Sequence, residues 1–148
     1  MIRVSSKGRY AVRALSDLAF HAAAAPAQIK DVARRQRIPL RFLEQIFQDL
    51  RREGLVASKR GPRGGYRLAR PPAEIRVGDV LKATEVAAPR ARRAVASVEL
   101  REVCDQILDD LTHEMEACSS KLTLADVCAR AEQAGIARGG RSPSAYVI

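Results

Sequence analysis

Residues 58–68 read Ser-Lys-Arg-Gly-Pro-Arg-Gly-Gly-Tyr-Arg-Leu. Four cations, Lys59, Arg60, Arg63 and Arg67, share this stretch with the turn formers Gly61-Pro62 and Gly64-Gly65. On either side lie two short β-like runs, Leu55–Ser58 and Tyr66–Ala69, so the pattern predicts a basic hairpin. Upstream, Leu40 to Glu53 carries Phe42, Leu43, Ile46, Phe47 and Leu50 at helical spacing, and Gly54 is placed to end that helix as a C′ glycine. Arg37-Ile38-Pro39 reads as a turn. Before it, Gln28 to Arg37 forms a short helix with Ile29, Val32 and Ala33 on one face. Residues 9–25 form the first helix, with Ser5 or Ser6 as N-cap and Pro26 as terminator. A basic hairpin behind a helix-turn-helix is a winged helix-turn-helix. The predicted fold class is therefore mostly α with a small β-hairpin wing, and residues 1–76 form a DNA-binding domain.

Beyond this unit Pro71-Pro72 breaks the second strand, and Val77–Glu85 reads as a short helix. Residues 86–97, VAAPRARRAVAS, read as a connection. A long helix follows over about 98–119, with Leu100, Cys104, Ile107, Leu111 and Cys118 on a near-heptad seam and Val103, Leu108 and Met115 beside it. Glu114 interrupts the seam. The other faces are acidic, with Glu99, Glu102, Asp105, Asp109, Asp110, Glu114 and Glu116 against Arg101. Such a helix suits a partner helix, although the same spacing also fits an intrachain bundle. Its place outside a DNA-binding domain that needs a twofold mate favours dimerisation. Leu122–Gln133 forms the last helix, starting at Thr123. Residues 77–136 thus read as a dimerisation and effector region, and 137–148 as a Gly/Ser/Pro-rich flexible tail.

Charge divides the chain the same way. Residues 1–76 hold 17 Lys/Arg against 6 Asp/Glu, a balance of +11, while residues 77–148 hold 9 against 11, a balance of −2. A basic half of this kind is the footprint of a surface that displaces counterions from phosphate. The reading candidates follow from placement. Arg41, Glu44 and Gln45, with Gln48 and Arg52, fall on the outward side of the third helix, where Arg can pair with guanine, Gln with adenine and Glu with cytosine. Ser58, Lys59, Arg60 and Arg63 belong to the hairpin and reach phosphates or the minor groove. Lys7, Arg9 and Gln28 lie at the starts of helices 1 and 2, where they can clamp phosphate.

Other classes fit poorly. There is no Gly-rich phosphate loop, nucleophile–base arrangement or metal-hydrolase motif, so an enzyme is not expected. The longest uncharged run, Leu18 to Ile29, is too short for a bilayer, and Arg3, Lys7 and Arg9 leave no secretory signal; a soluble cytoplasmic protein is expected. The three cysteines, Cys104, Cys118 and Cys128, form no C-x-x-C and predict no disulfide framework. Cys104 and Cys118 read either as redox thiols that couple across a dimer interface or as small apolar seam residues. His21 and His113 are isolated, and no metal-spacing motif is present.

The sequence resembles the IscR/NsrR-type family of winged-helix regulators, the Rrf-two family. The matching stretches are VSSKGRYAVRALSDLA at 4–19, IKDVARRQRIPLRFLEQIFQDLRREGLVASKRGPRGGYRLARPPAEI at 29–75, VGDVLKAT at 77–84 and LTLADV at 122–127. The resemblance implies a homodimer joined through the long helix on a partly palindromic DNA operator, most members being repressors. Many members hold an iron–sulfur cluster on three closely spaced cysteines in the loop before the long helix. Here that loop has none, so the ligands are not carried over and no cofactor is predicted. A cluster would need atypical ligands such as Cys104 and Cys118. An effector protein, for example a metabolic enzyme bound beyond residue 77, is the competing source of regulation. Arg37 also departs from the family, standing where Gly is common.

Overall fold

A computed structural model describes residues 4–22, 25–85 and 100–137. Among the described residues six helices and one hairpin follow in the order α1 (Ser6–His21), α2 (Ile29–Gln36), α3 (Leu40–Arg52), β1 (Val56–Lys59), β2 (Gly65–Leu68), α4 (Val77–Thr84), α5 (Leu100–Ser119) and α6 (Leu124–Gln133), with one 3-10 turn at Pro72–Glu74. This is the expected winged helix-turn-helix with a long helix appended. The connection at 86–97 and the tail beyond 137 lie outside the described residues, as do the side chains of Leu100, Arg101, Glu102, Val103 and Asp105.

Local chemistry sets the boundaries. Ser5 caps α1, its Oγ accepting from Gly8 N–H at 3.0 Å. The helix stops at His21, four residues before the expected end. The chain has to become extended by Ala27, which exchanges two backbone hydrogen bonds of 2.8 Å with Tyr66. Thr123 and Asp126 form a reciprocal capping box that starts α6. Those hydrogen bonds from Thr123 hold the Asp126 carboxyl below its ordinary range. α2, α3 and α6 end alike. The left-handed residue past the helix end donates to the carbonyl three back, and the next one donates to the carbonyl five back, as in Arg37 N–H to Arg34 O and Ile38 N–H to Ala33 O. The left-handed position is Gly54 after α3 and Gly135 after α6, but Arg37 after α2, with φ 52° and ψ 48°.

One apolar cluster holds these elements. α1 contributes Ala11, Ala14, Leu15 and Leu18, and α3 contributes Leu43, Ile46, Phe47 and Leu50. Ile38 and Leu55, each just past a helix end, are also buried. Each fully buried Leu, Ile or Phe of this kind stabilises by about 1.5–3 kcal/mol. The cluster continues through Ile75, Val80 and Ala83 to Leu124 and Cys128. The boundary drawn at 76/77 is therefore one of charge and not of packing, because α4 and α6 sit in the same core as α1. α5 stands apart. Its C-terminal end docks on α4, where a Cβ on Gly78 would lie 2.7 Å from Ser119 Oγ and where Lys82 pairs with Glu116 at 3.5 Å. Ile107, Leu108, Leu111 and Met115 of α5 are all more than two-fifths exposed.

Candidate nucleic-acid interface

The helix-turn-helix is locked from behind. Asp17 lies on the α1 face that otherwise carries Ala14, Leu15 and Leu18, and its carboxylate is fully buried. Arg35 of α2 meets it with two short hydrogen bonds, Nε to Oδ1 at 3.0 Å and Nη2 to Oδ2 at 2.6 Å, and Gln36 Nε2 donates to Oδ1 at 2.8 Å. This bidentate pair raises the Arg35 guanidinium above its ordinary range, chiefly through the hydrogen bond to Asp17. Arg13 of α1 lies over the Tyr10 ring, 5.5 Å from its centroid, and donates to the Gln36 carbonyl. Tyr10 in turn meets Phe42 of α3 edge-on at 5.7 Å. The orientation of α2 and α3 against α1 is thus fixed by charge, aromatic contact and apolar burial together.

α3 presents a divided surface. Leu43, Ile46, Phe47 and Leu50 face the core, while Arg41, Glu44, Gln45 and Gln48 are exposed on the other side. Leu40, at the first position of the helix, is also 42% exposed. These polar groups are the ones expected to meet base edges.

The wing is tied by its backbone to Ala27, just before α2, and by side chains to α3. β1 and β2 pair antiparallel with Val56 opposite Leu68 and Lys59 opposite Gly65. Gly64 N–H bonds to Gly61 O at 2.9 Å, closing a four-residue turn with Pro62 second. Gly65 has φ +146°, and a Cβ there would stand 2.4 Å from the Ala27 carbonyl oxygen. Only glycine lets Tyr66 pair with Ala27 so closely. Phe47 of α3 packs on the Tyr66 ring at 4.7 Å. Gln28 Nε2 donates to Gly64 O at 3.4 Å, and Arg51 Nη1 donates to Ser58 Oγ at 3.4 Å. The expected phosphate ligand Gln28 and the hairpin residue Ser58 therefore both hold the wing in place.

The cations divide into two groups. Lys7 sits 2.6 Å from Asp49, and Arg52 sits 2.7 Å from the same carboxylate. The hydrogen bond and charge of Lys7, helped by Arg52, hold the Asp49 carboxyl below its ordinary value. Lys7, expected as a phosphate clamp, is thus a tie between α1 and α3. By contrast, among the described residues Lys59, Arg60 and Arg63 are exposed and have no carboxylate partner. Arg9 and Arg41 are exposed as well. Unpaired cations beside an exposed polar helix face form the part of the surface able to displace counterions from a nucleic acid. Asp17 and Asp49 were not anticipated from the sequence. Asp17 had a signal, a lone carboxylate inside an apolar helical stripe, whereas Asp49 sits on a polar face and had none.

A helix-turn-helix with a basic, backbone-braced wing defines a class, the winged-helix DNA-binding transcription regulators. Residues 4–130 match the Rrf2 family, described as iron-dependent transcriptional regulators, and the chain belongs to that family. It is 39% identical over 154 residues to a chain of Azotobacter vinelandii described as an HTH-type transcriptional regulator, ORF2, covering 98% of this chain and 94% of that one. It is 52% identical over 84 residues to the HTH-type transcriptional regulator IscR of Aliivibrio salmonicida, a match that spans 57% of this chain and half of that protein. Among solved structures it is similar to T. potens IscR, with a TM-score of 0.75, 37% identity and coverage of 93% of this chain and 94% of that one. The relatives are DNA-binding regulators and not enzymes. None of the described helices is long and apolar enough to cross a membrane.

The iron in the family's description invites a test of the cysteines. Cys104 and Cys118 are both exposed and stand fourteen residues apart on one helix, about 21 Å at 1.5 Å per residue, while Cys128 is buried in the core. Among the described residues no three His, Cys, Asp or Glu side chains converge as metal ligands. These three thiols do not fit a cluster held within one chain.

Proposed function

We propose that this regulator is a cytoplasmic homodimeric repressor that reads a partly palindromic operator through α3 and the wing. Arg41, Glu44 and Gln45 read bases. Lys59, Arg60 and Arg63 hold the neighbouring phosphates or enter the minor groove, and Arg9 adds a phosphate contact. Lys7, Gln28 and Ser58 act as positioning residues, and Lys7 reaches phosphate only by leaving Asp49. The observation that carries this reading is the set of unpaired wing cations braced beside the exposed polar face of α3. Residues 77–136 serve as the dimerisation and effector region, and the exposed apolar side of α5 is the surface that joins two chains.

The test is selection of bound duplexes from a random pool. A dimer of this kind enriches a sequence with twofold symmetry whose half-sites are about one helical turn apart. Enrichment of asymmetric sites, or of none, contradicts it. The exposure of both α5 cysteines favours thiol chemistry over a bound cluster as the second source of regulation.

A further inference from the structure

Between Cys104 and Cys118 the exposed seam of α5 is symmetric about Leu111, with Leu108 at its edge facing Glu114 across the centre. Its members Cys104, Ile107, Leu111, Met115 and Cys118 are spaced three, four, four and three residues apart, the same sequence of intervals from either end. At about 100° per residue all five point within about 40° of the Leu111 direction. Asp109 and Glu116 lie about 140–160° away, on the opposite side. Among the described residues, α4's hold on α5 through Glu116 and Ser119 lies off the seam.

A surface that reads alike from both ends is self-complementary under a twofold axis perpendicular to the helix. Such an axis through Leu111 sets Leu111 against its own copy, Ile107 near the partner's Met115, and Cys104 level with the partner's Cys118. It also sends the two reading heads to opposite ends of α5. A helix of 20 residues is about 30 Å long, close to the roughly 34 Å between successive turns of a duplex face. Parallel pairing would crowd both α4 ends together.

We propose that two chains pair antiparallel on this seam and that Cys104 and the partner's Cys118 form a disulfide on oxidation, two per dimer, as a redox latch. The inference rests on the dimer proposed above. Facing helices about 8–10 Å apart, with Cα atoms about 2.3 Å from each axis, bring facing Cα atoms to about 3.4–5.4 Å, and the wider half of that spacing is within the range of a disulfide. A crossing of about 20° keeps both cysteine layers in line because it offsets the drift of about 20° per heptad. A crossing near 50° would part them sideways by about 9 Å and forbid the bond.

The oxidant is a hydroperoxide. One thiolate attacks the terminal peroxide oxygen, giving a sulfenic acid and releasing an alcohol, or water from hydrogen peroxide. The facing thiol displaces water from that sulfenic acid and the S–S bond forms. Two electrons pass from the sulfurs to the O–O bond, and the two thiol protons leave in the hydroxyl and water products.

The test uses the full chain, purified reduced, treated with hydrogen peroxide and run on non-reducing electrophoresis. Wild type and Cys128→Ser give a dimer band that dithiothreitol removes. Cys104→Ser and Cys118→Ser each lose it. The two single variants, mixed reduced and allowed to exchange subunits before oxidation, regain about half of it, since only the mixed dimer sets a Cys104 against a Cys118. Cross-linking by either single variant alone overturns the antiparallel pairing. Light scattering of the reduced protein separates the two levels. A reduced dimer that never cross-links overturns the latch alone, and a reduced monomer overturns the dimer as well.

Discussion

Arg37 shows what a single residue reveals. It occupies the left-handed position after α2 that glycine fills after α3 and α6, and the two hydrogen bonds of that helix ending form all the same. A non-glycine residue there costs about 1 kcal/mol. Arg37→Gly should therefore stabilise the fold by up to about 1 kcal/mol, less whatever glycine loses to unfolded-chain entropy, and urea denaturation measures it. Lys7 gives a second case. It ties α1 to Asp49 of α3, so Lys7→Ala should cost about 0.5–1 kcal/mol near neutral pH, the scale of a solvent-screened pair. Because Lys7 depresses the folded-state pKa of Asp49, its stabilisation is present above the ordinary carboxylate value of 3.8 and fades as pH falls through the lower folded value. The gap between wild type and Lys7→Ala in denaturant midpoint should be constant above about pH 5 and close below that value. A gap that persists unchanged in acid would show that Lys7 acts through packing and not through charge.

At the scale of elements, the wing depends on one close approach of backbone to backbone. Gly61 and Gly65 both have positive φ, but a Cβ on Gly61 meets nothing within 4 Å, whereas one on Gly65 collides with Ala27. Gly61→Ala should cost only about 1 kcal/mol of strain. Gly65→Ala should cost more, roughly 2–3 kcal/mol, and should weaken DNA binding because the strand carrying the wing loses its brace. Equal effects in both stability and binding would argue against the Ala27 contact. Much of this element was legible beforehand, since Gly-Pro and Gly-Gly between two β-like runs specify a hairpin by local chemistry alone. Its pairing with Ala27 was not, because contact across some forty residues leaves no local mark. α3 was legible for a similar reason: its apolar spacing, Gly54 and the preceding Pro39 fix both ends. The end of α1 was misplaced because the Ala-rich stretch after His21 favours helix locally, while the demand that Ala27 be extended comes from the wing.

Over the whole molecule, charge and packing divide the chain differently. The basic balance belongs to residues 1–76, yet the core crosses that line to include Val80, Leu124 and Cys128. α4 and α6 are therefore part of the platform that carries the helix-turn-helix and the wing, and among the described residues α5 is the element left with an uncovered apolar side. Total charge could forecast a nucleic-acid partner but not which cations are available, because pairing with Asp17 and Asp49 is a tertiary event. The structure makes that division: Lys7, Arg35 and Arg52 stabilise the scaffold, and Lys59, Arg60 and Arg63 are unpaired. The direct test of the division is the salt dependence of binding to a selected duplex, compared among wild type, Arg60→Ala and Arg35→Ala. Losing a phosphate contact lowers the slope of log K against log salt by about 0.9. Arg60→Ala should weaken binding and flatten the slope by about that amount in a fully folded protein, while folded Arg35→Ala should keep the wild-type slope. An Arg60→Ala variant with wild-type affinity and slope would contradict that division.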